Sequence, residues 1–252
     1  MGLLSRGRSR VREEGLAKAL QYGVFVGADS VKTFFRDSYL DLRYSHRVLH
    51  GNDASEFKHL GANDVYHTDY CAMPLIFGNI GISPDDVLVD VGCGKGRVIN
   101  YWLSRNYNNL IIGLEIDPVI AAKTARQFAS RPNVQVVAGD AVEHLPAHGT
   151  IFYFYNPFNE NKVAAFEDKL RQLAGNNKVK VVYYNPRSLS VFENDAWSIK
   201  RINFEIDFGV KRWGRLNKYH ELAVITRIIP GDTGYKDKSP PILRQRPERS
   251  SS

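Results

Sequence analysis

Three glycines spaced two residues apart, Gly92, Gly94 and Gly96, follow a short apolar stretch that ends near Asp90. Glycine accepts positive φ and has no Cβ, so a ligand can lie directly against the backbone at such a turn. The next segment, residues 97–106, has apolar residues at helical spacing, which predicts a helix whose N-terminus faces the turn. Free N–H groups at that end attract negative or electron-rich ligand atoms. The stretch therefore predicts a ligand-binding turn, with a purely structural tight turn as the alternative.

Two further acids stand at the ends of the next two predicted strands, Glu115 and Asp140. Ligands of open α/β sheets bind beyond the carboxyl ends of the strands, so these acids and Asp90 are candidate contacts. Asp90 can accept from a cationic amino group, and Glu115 from both hydroxyls of a ribose. Asp140 can accept from an adenine amino group, with the Ala141 backbone alongside. Any one acid could instead be a helix cap or a surface charge, but three at consecutive strand ends favour a binding site.

The sequence DVGCGKGR at residues 90–97 resembles the first motif of class I S-adenosylmethionine-dependent methyltransferases. Its G-x-G-x-G spacing differs from the G-x-G-x-x-G of dinucleotide-binding dehydrogenases. The resemblance covers roughly residues 64–229. It implies that the protein transfers a methyl group from S-adenosylmethionine, and it carries no particular substrate with it.

The resemblance also implies roles for individual residues. Asp90 and the three glycines would hold the methionine end of the cofactor. Glu115 would hold the ribose, and Asp140 with Ala141 the adenine. Further cofactor contacts are expected from Tyr66, Thr68, Cys93, Ile116, Asn156 and Pro157. For Tyr66 and Thr68 the alternative is a core aromatic residue and a helix cap. No metal site is expected, because the histidines lack ligand spacing.

The tripeptide Asn156-Pro157-Phe158 follows the fourth predicted strand. It resembles the fourth motif of amino-group methyltransferases, in which the Asn oxygen and the proline carbonyl accept from the target nitrogen. This implies that Asn156 orients the nucleophile as the catalytic residue. The sequence has one proline where that motif has two, which puts methylation of a nucleic-acid base in doubt. The alternative is that Asn156 caps the following helix and Phe158 lies in the core.

The elements that must position these residues alternate between strand and helix, which predicts a parallel sheet with right-handed crossovers. Strands are expected at residues 87–91, 110–116, 134–137, 150–155 and 179–184. Two more, at residues 199–208 and 220–229, are joined too closely for a helical crossover and should be antiparallel. The predicted fold is α/β, with the Rossmann-like seven-stranded sheet of class I methyltransferases, helices on both faces and an N-terminal helical cap.

Four regions are expected along the 252 residues. They are a basic, flexible N-terminus (1–28), the helical cap (29–82), the S-adenosylmethionine-binding domain (83–230) and a disordered basic tail (231–252). Within the cap, an apolar stripe at helical spacing predicts the face that packs on the core. Its members are Val31, Phe34, Phe35, Tyr39 and Leu42.

The net charge of +7 comes from the two ends, because residues 1–12 contribute +4 and residues 236–252 contribute +3. A nucleic-acid enzyme more often carries its basic excess on the folded surface, so a nucleic acid is not the favoured acceptor. The stretch 208–219 between the last two strands contains no acid. Its basic and aromatic residues predict an anionic acceptor, with a solubilising loop as the alternative. They are Lys211, Arg212, Trp213, Arg215 and Lys218.

The two cysteines, Cys71 and Cys93, form neither a disulfide framework nor a metal pattern, which favours a reducing cytosol. No apolar run approaches the roughly 18–20 residues that span a bilayer, so a cytoplasmic protein is expected. Two alternatives to a methyltransferase remain. One is a nicotinamide-dependent oxidoreductase, which the glycine spacing disfavours. The other is a non-catalytic cofactor-binding module. The methyl acceptor and the oligomeric state do not follow from the sequence.

Overall fold

The fold is a single seven-stranded sheet with helices on both faces, as a computed structural model shows. The strand order is β3-β2-β1-β4-β5-β7-β6, and β1 to β5 are parallel. β7 pairs antiparallel with both β5 and β6, which confirms the predicted C-terminal hairpin. The structure describes residues 34–45, 48–49, 56–63, 67–78, 80–206 and 218–229.

The strands begin and end within about two residues of the expected positions. Their bounds are β1 Leu88–Val91, β2 Ile111–Glu115, β3 Val134–Ala138, β4 Ile151–Phe154, β5 Lys180–Tyr184, β6 Trp197–Ile206 and β7 Lys218–Arg227. The helices are α1 at residues 34–45, α2 Met73–Phe77, α3 Arg97–Ser104, α4 Pro118–Gln127 and α5 Glu160–Ala174. Two short 3₁₀ helices lie at Lys58–Leu60 and Leu189–Phe192. None of the described helices is long and apolar enough to cross a membrane.

The hydrophobic core has two layers, because successive side chains of a strand point to opposite faces of the sheet. In β4, Tyr153 joins one layer and Phe152 and Phe154 join the other. The first layer includes Phe77 of α2 and Trp102 of α3. The second includes the apolar side of α5. The expected cap and the sheet therefore share one core layer.

The predicted inner face of α1 is wrong. The stripe residues Phe34, Phe35, Tyr39 and Leu42 are between 50% and 66% exposed, and the polar face is buried instead. That face consists of Asp37, Ser38, Asp41 and Ser45. Polar partners on neighbouring segments explain the reversal, because the Tyr70 hydroxyl donates to Asp41 Oδ1 over 2.7 Å. Val31 lies outside the described residues.

Helix α4 packs on the core through one side only. Ala121 and the following Phe128 are buried, whereas Ala122 and Ala129 are exposed. Thr124 is buried in their place, and its hydroxyl donates to the Gly94 carbonyl over 2.8 Å. Helix α4 therefore anchors the glycine turn through a polar contact.

Candidate functional site

The carboxyl ends of the central strands open into one cavity. Several predicted site residues from β1, β2 and the turns that follow them line it: Asp90, Gly92, Cys93, Glu115 and Ile116. The acids reach it because parallel strands end at the same edge of the sheet, which is where open α/β sheets bind ligands. These predicted residues therefore lie together at one cavity, and their contacts with a cofactor stay a prediction.

The rest of the cavity lining comes from the ends of the flanking strands β3 and β4, from an N-terminal segment and from α5. Four further predicted site residues line the cavity here: Asp140, Ala141, Pro157 and Thr68. The Thr68 and Tyr153 hydroxyls share a hydrogen bond of 2.6 Å. Tyr66 lies outside the described residues. Gly94, Gly96 and Asn156 are described and do not line the cavity.

Two glycines of the turn lie where a side chain would not fit. Gly92 has φ +75°, and a Cβ built on it would lie 2.6 Å from the Pro157 Cβ. Gly96 has φ +80°, and a Cβ there would lie 2.6 Å from a ring carbon of Phe128. Gly92 thus permits the close approach of the β1 and β4 ends at the cavity. Gly96 permits the packing of α3 against α4.

Glu115 connects β2 to the glycine turn. Its Oε2 accepts from the Gly94 N–H over 2.8 Å, and its Oε1 from the Asp117 N–H over 3.0 Å. An ionised carboxylate has about four acceptor positions, so each oxygen keeps one for a ligand. Burial raises the pKa of Glu115, although the backbone N–H groups of Asp117 and Gly94 act in the opposite direction.

Asp90 is 3% exposed and lines the cavity. Within the described part of the chain, no hydrogen bond to its carboxylate is found. Burial, and then the nearby charge of Glu115, raise the pKa of Asp90 to about 8. Burial also raises the pKa of the Cys93 thiol well above its usual range, so this cysteine is a neutral packing group.

Asp140 has partners of its own. Its Oδ1 accepts from the Val142 N–H over 2.8 Å, and its Oδ2 pairs with the ammonium group of Lys162. Lys162 lies on α5 and lines the cavity. Sequence reasoning missed this lysine because nothing in its local pattern distinguishes it from an exposed helical lysine.

Asn156 faces away from the cavity. Its Oδ1 accepts from the Tyr183 hydroxyl over 2.9 Å and from the Arg187 N–H over 3.2 Å. Its amide nitrogen donates to the Asn185 carbonyl over 2.8 Å. These contacts occupy the group that the resemblance assigned to the acceptor nitrogen, so the geometry does not support Asn156 as the orienting residue.

The proline carbonyl of the same tripeptide is also occupied, because Pro157 O accepts from the Asn63 N–H over 2.8 Å. Phe158 is buried in the core layer of α5, as the alternative interpretation expected. The cap of α5 is Asn159, whose side chain accepts from the Lys162 N–H, and not Asn156. The tripeptide is therefore an internal support of the cavity wall.

Residues 88–174 match a family model described as a methyltransferase domain. This segment runs from β1 to α5 and contains the glycine turn and all three strand-end acids. The protein contains a class I methyltransferase domain. Domains of this class use S-adenosylmethionine as the methyl donor. No curated protein is similar enough in sequence to count as a relative.

Solved structures of other methyltransferases resemble this methyltransferase. Precorrin-6y C5,15-methyltransferase from Geobacter metallireducens GS-15 is 15% identical, with a TM-score of 0.49 over 65% of this chain and 90% of that chain. An RNA methyltransferase from Salinibacter ruber, in complex with S-adenosyl-L-homocysteine, is 18% identical. Its TM-score is 0.47, over 69% of this chain and 100% of that chain. At such low identity, no acceptor for this methyltransferase follows from them.

The cavity of the methyltransferase fits its cofactor in two respects. The buried Asp90 carboxylate has free acceptor positions for a cationic group. Gly92 lines the cavity with its backbone alone, and the space that a Cβ would take is filled by Pro157. Among the described residues, no cluster of three or more His, Cys, Asp or Glu side chains is arranged to hold a metal ion.

Proposed function

We propose that the cavity binds S-adenosylmethionine with its methionine end at Asp90 and Gly92, its ribose at Glu115 and its adenine at Asp140 and Ala141. One observation carries the proposal: the acids that end three neighbouring parallel strands all line the same cavity. The cofactor offers each of these acids a donor: an ammonium group to Asp90, two hydroxyls to Glu115 and an amino group to Asp140.

Glu115 is the most specific of these contacts. Because its carboxylate is fixed by two backbone N–H groups, its remaining acceptor positions are already oriented. A fixed bidentate acceptor matches the two adjacent hydroxyls of a ribose, and no ordering of the side chain is required when the ligand binds. The neighbouring residue Ile116 supplies apolar surface at the cavity wall.

Asp140 would act together with Lys162 at the adenine end. The hydrogen bond and the ion pair leave one acceptor position on each Asp140 oxygen for a ligand at the cavity. The lysine also offsets one of the negative charges that crowd this edge of the sheet. The adenine assignment therefore depends on a pair of residues from β3 and α5.

The bound cofactor supplies an electrophilic methyl group on a sulfonium. The residues of this chain then have one main task, which is to hold the nucleophile in line with that group while water is excluded. Pro157 and Phe158 close one wall, and Thr68 and Tyr153 close another. A base is needed only when the acceptor must lose a proton before attack.

The acceptor is proposed to be anionic. β6 runs parallel to β1–β5, so its end at Ile206 lies at the same edge of the sheet as the cavity. The basic segment 208–219 begins there, and residues 207–217 lie outside the described part of the chain. Charges from Lys211, Arg212 and Arg215 would attract a phosphorylated or carboxylated acceptor to this edge.

Calorimetric titration with S-adenosylhomocysteine and S-adenosylmethionine tests the cofactor site, with NADH as the control ligand. Micromolar binding of the first two and none of NADH is expected. Glu115→Ala should weaken binding at least tenfold, because hydrogen bonds to a charged acceptor contribute roughly 1.5–3 kcal/mol each. Glu143→Ala removes an exposed carboxylate that does not line the cavity and should have no effect. Unchanged binding by folded Glu115→Ala would remove this residue from the ribose site.

Transfer of labelled methyl groups to anionic metabolites and to RNA tests the acceptor. Replacing Lys211, Arg212 and Arg215 with glutamine should raise KM for the acceptor that responds, with S-adenosylhomocysteine affinity unchanged. An unchanged KM would exclude the basic segment from acceptor recognition. If the protein binds the cofactor but methylates neither the metabolites nor the RNA, a non-catalytic cofactor-binding module would be favoured.

A further inference from the structure

A buried arginine at the start of α3 faces the cofactor cavity and has no role in the sites proposed above. Arg97 is 6% exposed and lines the cavity beside Cys93 and Val98. It directly follows the last glycine of the turn, so it stands at the same end of the cavity as Asp90 and Gly92. A guanidinium carries five donors and is always charged, and burying it without partners is costly.

The partners that the structure gives Arg97 do not satisfy those donors. Its Nη2 lies 3.4 Å from Asp41 Oδ2, a long contact, and the guanidinium lies 5.3 Å from the ring centroid of Tyr70. Asp41 is shared with other donors, because its Oδ1 accepts from the Tyr70 hydroxyl and its Oδ2 from the Leu49 N–H. The Arg97 Nε is buried and has no hydrogen-bond partner in the described part of the chain. Asp41 thus balances the charge, and donors are left over for a ligand.

The charges around the cavity indicate what that ligand group is. Among the residues that the structure describes, the basic side chains that line it, apart from His67, are Arg97 and Lys162. Lys162 is paired with Asp140 at the other end. Arg97 is therefore the strong cation at the end where Asp90 lies. The methionine part of the cofactor carries one ammonium and one carboxylate, and the guanidinium fork matches a carboxylate in shape and charge.

We propose that Arg97 binds the carboxylate of the cofactor and makes the site selective for ligands that carry it. The proposal rests on the proposed cofactor site and adds its anion-binding residue. Asp41 and Tyr70 act as positioning residues, which hold the guanidinium at the cavity from the side of α1. The buried polar face of α1 thereby acquires a function, since an apolar face there would leave the Arg97 charge unbalanced.

The test compares two ligands that differ only in this group. S-adenosylhomocysteine has the amine and the carboxylate, and its decarboxylated analogue keeps the amine alone. Wild-type protein should bind the first about 10- to 100-fold more tightly in calorimetric titrations, which is the range for hydrogen bonds to a charged group. In Arg97→Gln the preference should fall to about threefold or less, because only the carboxylate ligand loses a partner.

The matched control is Asn100→Ala, which disturbs the same buried cluster without touching Arg97 or the cavity. The Asn100 amide donates to Ser45 Oγ and to the Tyr70 hydroxyl. This variant should lower thermal stability and keep the wild-type preference between the ligands. Arg97→Lys keeps a charge without the planar fork, so it should show an intermediate preference. If Arg97→Gln does not fold, Arg97→Lys and the wild-type preference still decide the question.

The proposal is overturned if wild-type protein binds both ligands equally, or if Arg97→Gln keeps the full preference. It is also overturned if Arg97→Gln weakens the binding of both ligands by the same factor, since a purely structural role of Arg97 would give that result. Failure of the cofactor site itself is distinguishable, because wild-type protein would then bind neither S-adenosylhomocysteine nor its analogue.

Discussion

Cofactor binding should release a proton from Asp90. Burial and the charge of Glu115 raise the pKa of this carboxyl to about 8, so the free protein at pH 7 carries it mostly protonated and neutral. An ammonium group is held by the ionised form. The carboxyl must therefore lose its proton when the cofactor binds, and the affinity should increase with pH until Asp90 is ionised in the free protein.

The magnitude follows from the pKa. At pH 7 about one-tenth of the Asp90 carboxyls are ionised, so binding should release about 0.9 proton from this group. Below pH 8 the affinity should fall about tenfold for each pH unit, which corresponds to about 1.4 kcal/mol per unit. Asp90→Asn is always neutral, so it should bind more weakly at pH 8 and lose this part of the pH dependence.

Calorimetry of S-adenosylhomocysteine binding at pH 7 in buffers of different ionisation enthalpy measures the released protons directly. The difference between wild type and Asp90→Asn isolates the contribution of Asp90 from titration of the ligand's own amine. Methylthioadenosine, which lacks the amino-acid part of the cofactor and its ammonium group, serves as the control ligand. It should release no proton from Asp90. Equal proton release in wild type and in a folded Asp90→Asn protein would refute the assignment of Asp90 to the ammonium group.

Other changes test the remaining parts of the site. Without ligand, the stability of the folded state should decrease as the pH rises from about 4 to about 8, because folded Asp90 holds its proton more tightly than the unfolded chain does. Urea unfolding of wild type and Asp90→Asn across this pH range measures the effect. The same pH dependence in both proteins would contradict it. Gly92→Ala should destabilise the folded state by about 2–4 kcal/mol and weaken the binding of S-adenosylhomocysteine, because φ is +75° and the new Cβ would meet Pro157. An unchanged midpoint of urea unfolding would disprove this. Glu115→Gln should cost about 1–3 kcal/mol of stability, since one backbone N–H loses its acceptor. Asn156→Ala should lower the stability of the folded state by about 2–4 kcal/mol and leave the affinity for S-adenosylhomocysteine nearly unchanged. A variant with wild-type stability and no methyl transfer would instead support Asn156 as the catalytic residue.

The sheet could be predicted because its signal is local. Each parallel strand is a short apolar run between turn residues, and strand direction follows from the length of the connections. Once the strands are known, the topology brings Asp90, Glu115 and Asp140 to one edge without any knowledge of side-chain packing. That is why spacing alone predicted that these three acids lie at one edge of the sheet.

The orientation of α1 could not be predicted in the same way. The rule that the apolar stripe faces the core assumes that the surface opposite is apolar. Here the opposite surface presents the hydroxyl of Tyr70, the amide of Asn100 and the charge of Arg97. These residues lie about 30–60 positions away in the chain, so no pattern within the helix contains the information. Arg97 itself was visible in the glycine motif, but its burial was not.

The tripeptide at residues 156–158 shows how one sequence pattern can serve two structural purposes. An asparagine at the end of a strand can present its amide to a substrate, or it can secure the turn in which it lies. The outcome depends on the neighbouring strand end, which here also carries an asparagine in the left-handed region: φ is +47° at Asn156 and +46° at Asn185. The Asn156 amide donates to the Asn185 carbonyl, and the Asn185 amide oxygen accepts from the Glu221 N–H. The two asparagines thus join the ends of β4, β5 and β7, and they fix Pro157 where it meets Gly92. Because this linkage uses the amide oxygen and nitrogen of Asn156, we expect the methyl acceptor to be selected by other groups that face the open side of the cavity.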